Sequence, residues 1–256
     1  MKTLAFALAA VSAAAMPTLS AAQETNPLSF NVSVTSDYRF RGISQSRFRP
    51  AVQGGVDYAL PNGFYVGAWA STIRWIKDAG EINDINTRRS PVELDLYGGY
   101  KGQITSDFGY DVGVLQYLYP RNALTRIPNT YSPNTFELYG ALSFGPATLK
   151  YSHALTRLFG TADSKHSGYL DLTANFDVGG GVTLTPHVGH QRVRNNSDFS
   201  YTDYSLTVAK EFYGFTFSLA AVGTDTKKIA GAHAYASPAG NDLGRFGAVV
   251  AVKKTF

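Results

Sequence analysis

Between Leu28 and Arg41 apolar and polar residues alternate. Leu28, Phe30, Val32, Val34, Tyr38 and Phe40 fall on one side, and Ser29, Asn31, Ser33, Thr35, Asp37, Arg39 and Arg41 on the other. A period of two places successive side chains on opposite faces of a β-strand. The same period returns from Val92 to Lys101, where Leu94, Leu96 and Tyr100 oppose Glu93, Asp95 and Lys101. Extended along the chain, the pattern predicts strands near 28–41, 51–60, 64–73, 92–101, 107–118, 135–144, 147–156, 168–178, 182–192, 202–210, 215–224 and 244–256. Most reach the roughly 9 to 11 residues that a tilted strand needs to cross a bilayer, whereas strands of soluble proteins more often run about 5 or 6.

The connections alternate in length. Pro61-Asn62-Gly63, Gly102 to Ser106, Gly145-Pro146, Gly179-Gly180-Gly181 and Glu211 to Gly214 are short. Gly42 to Pro50, Arg74 to Pro91, Tyr119 to Asn134, Arg157 to Ser167, Val193 to Tyr201 and Asp225 to Leu243 are long. Short turns on one rim and long loops on the other describe an up-and-down transmembrane barrel, and a soluble sandwich has no reason to sort its loops this way. The expected fold is therefore all-β: a single antiparallel barrel of about twelve strands, with both termini on the short-turn side.

Membrane placement inverts the two faces, sending the apolar side to lipid and the charged side inward. On that assignment Asp37, Arg39, Arg41, Gln53, Asp57, Glu93, Asp95, Lys101, Asp111, Glu137 and Asp171 line the lumen, with Lys150, Asp177 and Asp203 beside them. Opposite charges there either pair and close the interior or line a wet channel. Tyr38, Phe40, Tyr58, Phe64, Tyr65, Tyr100, Phe108, Tyr110, Phe136, Phe144, Phe212 and Phe215 cluster near strand ends, as the aromatic girdles of a membrane barrel do. In the last strand Phe246, Ala248, Val250, Val252 and Phe256 share a face, and the terminal aromatic Phe256 looks like the signal read by the barrel-assembly machinery. Lys254 interrupts that face, at a depth where its ammonium can snorkel to the headgroups.

Ahead of the first strand, Lys2, the apolar run from Leu4 to Ala15 and the small residues Ser20-Ala21-Ala22 read as a secretory signal, residues 1–22, with the barrel occupying 23–256. No later stretch is long and apolar enough for a spanning helix. The chain has no cysteine, so no disulfide framework holds it. Its 25 Gly, 16 Tyr and 16 Phe suit strands and tight turns. A net charge of +4, or +3 once Lys2 is gone, is too mild and too interspersed to imply nucleic acid.

The segment Ser36-Asp37-Tyr38-Arg39-Phe40-Arg41-Gly42-Ile43-Ser44-Gln45-Ser46, with Pro50-Ala51-Val52-Gln53-Gly54-Gly55-Val56-Asp57-Tyr58 after it, resembles the opening of the TorF family of porins. Glu93-Leu94-Asp95-Leu96-Tyr97-Gly98-Gly99-Tyr100-Lys101-Gly102 looks like the next recognisable segment of that family. The resemblance implies an outer-membrane location and a pore, and no particular substrate or cofactor. Arg39 and Arg41 then either form a basic ring that attracts anions at the outer mouth or pair with lumenal carboxylates such as Asp57.

Catalysis is the rival class, because barrel hydrolases share this architecture. Ser152 and His153 are adjacent on a strand and face opposite sides, so they make no dyad. His187 and His190 differ by an odd number and split between the two faces, which argues against a zinc pair. His166 and His233 fall in outer loops, where His166 could work with Asp163. The expected function is passive diffusion of small polar solutes or ions, without catalysis, cofactor or metal. A closed structural barrel acting through its long loops and an outer-membrane hydrolase are the alternatives. Outer-membrane lipid is the expected surroundings, and the oligomeric state is open.

Overall fold

The computed structural model describes residues 27–84, 91–122, 124–127 and 130–256. The expected signal, residues 1–22, lies outside the described residues. Twelve strands form one closed antiparallel sheet: β1 Leu28–Thr35, β2 Ala51–Ala59, β3 Phe64–Thr72, β4 Val92–Gln103, β5 Phe108–Leu118 and β6 Thr135–Phe144 in the first half. The second half holds β7 Ala147–Ala154, β8 Gly168–Ala174 with its continuation Phe176–Asp177, β9 Val182–Arg192, β10 Tyr201–Phe212, β11 Phe215–Thr224 and β12 Gly247–Thr255. Every strand pairs with its sequence neighbours, and β1 closes the ring on β12 through Asn31–Thr255 to Thr35–Ala251. Closure removes the two open edges that a twelve-stranded sheet would otherwise leave unsatisfied.

The inversion of faces is plain on β1, where Phe30, Val32 and Val34 are about half exposed while Thr35 is buried. On β5, Val112 is 51 % exposed and its neighbour Asp111 6 %. Water would expel such an outer surface, which girdles the whole molecule; hydrocarbon accepts it. Among the described residues no helix is long and apolar enough to cross a membrane. The crossing elements are the strands.

Two features depart from the pattern. First, β1 ends at Thr35 rather than Arg41, and residues 36–46 leave the wall and fold into the barrel. Arg39–Phe40 pairs with Ile43–Ser44 as a small hairpin whose tip, Arg41 and Gly42, has positive φ at both residues (46° and 78°). That is the backbone of a two-residue turn twisted to match its flanking strands. The alternation lapses only at Ser36, a polar residue on the apolar side, and resumes through Tyr38 and Phe40 after the chain has left the wall. Tyr38 and Phe40 consequently sit at 4 % and 8 % exposure inside the barrel, a correction to their placement in a lipid girdle. Tyr65 is corrected likewise, since its hydroxyl donates to Asp111 in the lumen at 2.7 Å.

Second, the long connection after β3 contains a helix, α1, Trp75–Ile82. Its carboxylates Asp78 and Glu81 are clasped by Arg47, with Arg47 Nε to Asp78 Oδ2 at 2.8 Å and Arg47 Nη2 to Glu81 Oε2 at 2.6 Å. Ile76 is fully buried, in an aromatic-rich cluster with Tyr38, Phe40, Tyr117 and Tyr119.

The remaining girdle aromatics that stand exposed, Tyr58, Phe64, Phe144, Phe212 and Phe215, gather at the short-turn rim. Lys254 lies over the rings of Phe215 and Phe256, at 4.8 and 5.2 Å from their centroids, so its charge is accommodated among aromatics at the membrane edge.

Candidate functional site

The lumen divides by how tightly its polar groups are held. Toward the short-turn rim Asp57, Lys101 and Lys253, and further up the wall Gln53 and Asp171, remain partly accessible although they point inward. Tyrosines tie this region together. The Tyr97 hydroxyl donates to Asp57 Oδ1, the Tyr65 hydroxyl contacts that of Tyr139, and Gln53 hydrogen-bonds both Ser33 and Ser71 at 3.3 Å.

Several of these tyrosines lie flat over glycines of a neighbouring strand. A Cβ at Gly67, Gly99, Gly113 or Gly189 would strike the ring of Tyr97, Tyr65, Tyr139 or Tyr169, respectively. The glycine content of the chain, read from sequence as turn chemistry, thus also seats inward tyrosines within the strands. A missing side chain on one strand and a ring on the next fill the same space.

Toward the long-loop rim the hairpin folds into the lumen and narrows it. Asp37, Arg39, Arg41, Glu93, Asp95 and Glu137 are each no more than 6 % exposed. Arg39 Nε bonds Asp37 Oδ2 at 2.5 Å, while its Nη1 donates to the carbonyls of Gly42, Leu243 and Arg245. Ser44 and Ser46 donate to the other Asp37 oxygen at 2.5 and 2.9 Å. Arg41, carried on the hairpin tip, reaches across to Glu137 Oε2 on β6 at 2.8 Å and to Gln191 Oε1 on β9 at 2.6 Å. Its guanidinium also lies 4.3 Å from the Tyr169 ring centroid. Glu93 accepts from the Tyr38 hydroxyl at 2.9 Å.

Both arginines are therefore neutralised and buried, which removes the free basic ring. The partners are Asp37 and Glu137 rather than Asp57. Parity along the strands placed these residues on the inward face, but it carries no information on which charge meets which once a loop folds inward.

Among the histidines, Ser152 is buried inward, and His153 turns outward, where its Nδ1 lies 3.2 Å from the Tyr151 hydroxyl. His190 also turns outward and contacts Thr202. His166 meets His153, Nδ1 to Nε2 at 3.1 Å, rather than Asp163. His187 faces inward, with Nε2 2.7 Å from Asp171 Oδ2 and Nδ1 3.6 Å from Asp203 Oδ1. Tyr169 donates to Asp203 Oδ2 at 3.0 Å. The sequence reading missed this cluster, although a hairpin register centred on Gly179 to Gly181 sets Asp171 opposite Gly189, diagonal to His187. Among the described residues no group of three or more His, Cys, Asp or Glu side chains is arranged to hold a metal ion.

A cavity of about 270 Å³ lies above the hairpin on the long-loop side, bounded by α1, Phe40, Tyr119, Phe159, Tyr201 and Tyr235.

No curated protein matches the sequence. Among solved structures, the chain is similar to the KdgM porin in complex with disordered oligogalacturonate, at 8 % identity and TM-score 0.53, covering 90 % of this chain and 98 % of that one. It is similar also to the NanC porin, at 9 % identity and TM-score 0.51, covering 89 % and 98 %. At such identity the likeness establishes the barrel fold. The sequence from 20 to 256 matches the family model described as a bacterial protein of unknown function, Gcw_chp.

Proposed function

This chain belongs to the Gcw_chp family, and because that family's description assigns no activity, we propose from the lumen itself that the protein is an outer-membrane pore for passive diffusion of small polar solutes or ions. The observation that carries the reading is the closed barrel with apolar residues outside and charged, hydrogen-bonded residues inside, several of them, among them Gln53, Asp57, Lys101 and Asp171, still partly accessible. A barrel needed only as a membrane anchor gains nothing from a lumen of ionisable groups, since each costs desolvation unless it is paired or wet. The likeness of residues 36–58 to TorF porins and the fold shared with KdgM and NanC support the same reading.

The hairpin sets the limit on size and charge. Solutes must pass the tip at Arg41, where the charge of Arg41 is balanced by Glu137 and that of Arg39 by Asp37. An acidic oligosaccharide of the kind named with KdgM would meet no free arginine there. The pore therefore favours small neutral or cationic solutes.

Single-channel recording from folded protein in planar bilayers tests this. The expected result is a small, steady conductance that rises in an Arg41→Ala variant and becomes more cation-selective, because Glu137 is left unbalanced at the constriction. No conductance from folded wild-type protein and none from the variant would refute the pore. The packed outer half would then favour a closed barrel that acts through its long loops.

A further inference from the structure

We propose that the lipid-facing wall of β7, β8 and β9 at the long-loop rim is a binding site for a phosphorylated lipid of the outer leaflet. The site rests on the membrane placement of the barrel and not on conduction: a sealed barrel would hold the same lipid.

Strand register brings the residues together. Gly168 on β8 pairs with His153 on β7 and with Arg192 on β9. Their chain neighbours Ser152, Tyr169 and Gln191 are buried inward, so one level of the outer wall runs from a histidine, over a bare glycine, to an arginine. Neighbouring strands lie about 4.8 Å apart, which leaves the backbones of His153 and Arg192 roughly 10 Å apart across the glycine. The Tyr151 ring fills that gap, where a Cβ at Gly168 would strike it. One level higher the loops are tied to the strands and to each other. The His166 N–H donates to the Ala154 carbonyl at 2.9 Å, and the Arg194 N–H to the Ser167 hydroxyl at 3.0 Å. Lys165, His166 and Arg194 are thereby held above His153 and Arg192.

The polar groups converge without being neutralised. Lys165, Arg192 and Arg194 are exposed, and among the described residues no carboxylate lies within ion-pair distance of any of them. Arg39, Arg41 and Arg47, by contrast, are each clasped by an acid. The Tyr151 hydroxyl lies 3.2 Å from His153 Nδ1, and His153 Nε2 lies 3.1 Å from His166 Nδ1. With the hydroxyl donating, this chain ends on the Nε2–H of His166, a donor left for a ligand. Partial burial, and then the charges of Lys165, His153 and Arg194, push the His166 imidazole below its usual value, so these cationic groups act on one spot. A phosphate monoester, at about −1.5 to −2 near neutral pH, is the partner that relieves such mutual repulsion.

The wall beneath selects a lipid over a free anion. Leu149, Leu170, Leu172 and Val188 face outward just below this level and are about half exposed. Tyr151 and Tyr204 stand among them, as aromatics do at the headgroup boundary. Acyl chains cover the leucines while the phosphate meets the cations, so both ends of one molecule are matched. On the opposite wall, the outward residues at the same rim are Val34, Val52 and Thr72, which carry no charge.

Native mass spectrometry of the full-length folded protein in detergent tests the site. The probe is lipid A, an acylated sugar bearing phosphate monoesters, with its dephosphorylated form beside it. The wild type should hold lipid A at least about tenfold more tightly than the dephosphorylated form, the scale of a charge-assisted contact. Arg192→Gln combined with Arg194→Gln should abolish that preference. Arg49→Gln combined with Arg121→Gln removes the same charge from exposed positions elsewhere on the rim and should preserve it. Millimolar inorganic phosphate should not displace the lipid.

Equal retention of the two lipids overturns the proposal, since acyl chains alone would then account for binding. Displacement by inorganic phosphate overturns it in favour of a free-anion site. Equal loss in the two double variants overturns the location, because net charge would suffice. Conductance is measured separately in phosphatidylcholine bilayers. A barrel that holds lipid A but passes no current loses the pore and keeps this site, whereas a conducting barrel without the preference loses only this site.

Discussion

At the scale of single residues, Arg41 shows most clearly what holds the outer half of the lumen together. It sits at a tight turn in the left-handed region, touches two strands on the far side of the barrel and is almost fully buried. An ion pair in such a place is stabilising mainly relative to its half-broken form, because a lone buried carboxylate is far worse than a pair. Arg41→Met should therefore cost about 3 kcal/mol or more by stranding Glu137, whereas Arg41→Met combined with Glu137→Leu should recover most of the loss. Urea unfolding in lipid vesicles reads both values. A double variant as unstable as the single one would mean that the hydrogen bond to Gln191 or the Tyr169 stacking matters more than the charge pairing. Sequence parity places Arg41 and Glu137 on the inward face, but they are 96 residues apart and no local signal links them.

At the scale of elements, the strands were legible and the insertions were not. Period two fixes the wall because lipid on one side and a polar lumen on the other penalise every misplaced residue. Loop segments face no such two-sided constraint. Residues 37–41 resume the alternation of β1 after a single lapse at Ser36 while leaving the wall, and α1 is short enough that its spacing of Trp75, Ala79 and Ile82 is easily passed over within a long connection.

What holds α1 in place is Arg47, and this gives a pH signature. The hydrogen bond from Arg47, with the charge attraction behind it, holds the Glu81 carboxyl below its usual value of 4.5. A carboxylate with a depressed folded-state value stabilises the folded arrangement above its unfolded value and loses that contribution as pH falls through the folded one. The protection of α1 amides, taken relative to the intrinsic exchange rate at each pH, should thus be high at neutral pH and fall below about pH 4.5, as Glu81 protonates and the clasp loosens. Arg47→Gln should make exchange fast at neutral pH and flatten that dependence. Unchanged exchange in this variant would show that burial of Ile76 alone fixes the helix.

At the scale of the whole molecule, the decisive quantity is which face meets hydrocarbon. Val34 and Ser33 are neighbours on β1, and both pair on either side, Val34 with Val52 and Val252, Ser33 with Gln53 and Lys253. Their backbone roles are alike, so a difference between them reports the environment of the side chain and nothing else. A lysine at Val34 projects into lipid and costs about 2 to 4 kcal/mol near the bilayer midplane, less if it snorkels to an interface. At Ser33 it projects into the part of the lumen where Gln53, Asp57 and Lys253 are still accessible to water, and its ammonium stays hydrated. Val34→Lys should accordingly slow or block folding into vesicles, read as loss of the heat-sensitive compact band on gels, while Ser33→Lys folds and lowers conductance. If both variants fold equally well, the apolar face of β1 is not facing lipid, and the membrane assignment of the barrel falls with it. If Ser33→Lys alone fails, the inward face is packed at this depth, and any pore narrows well below the hairpin.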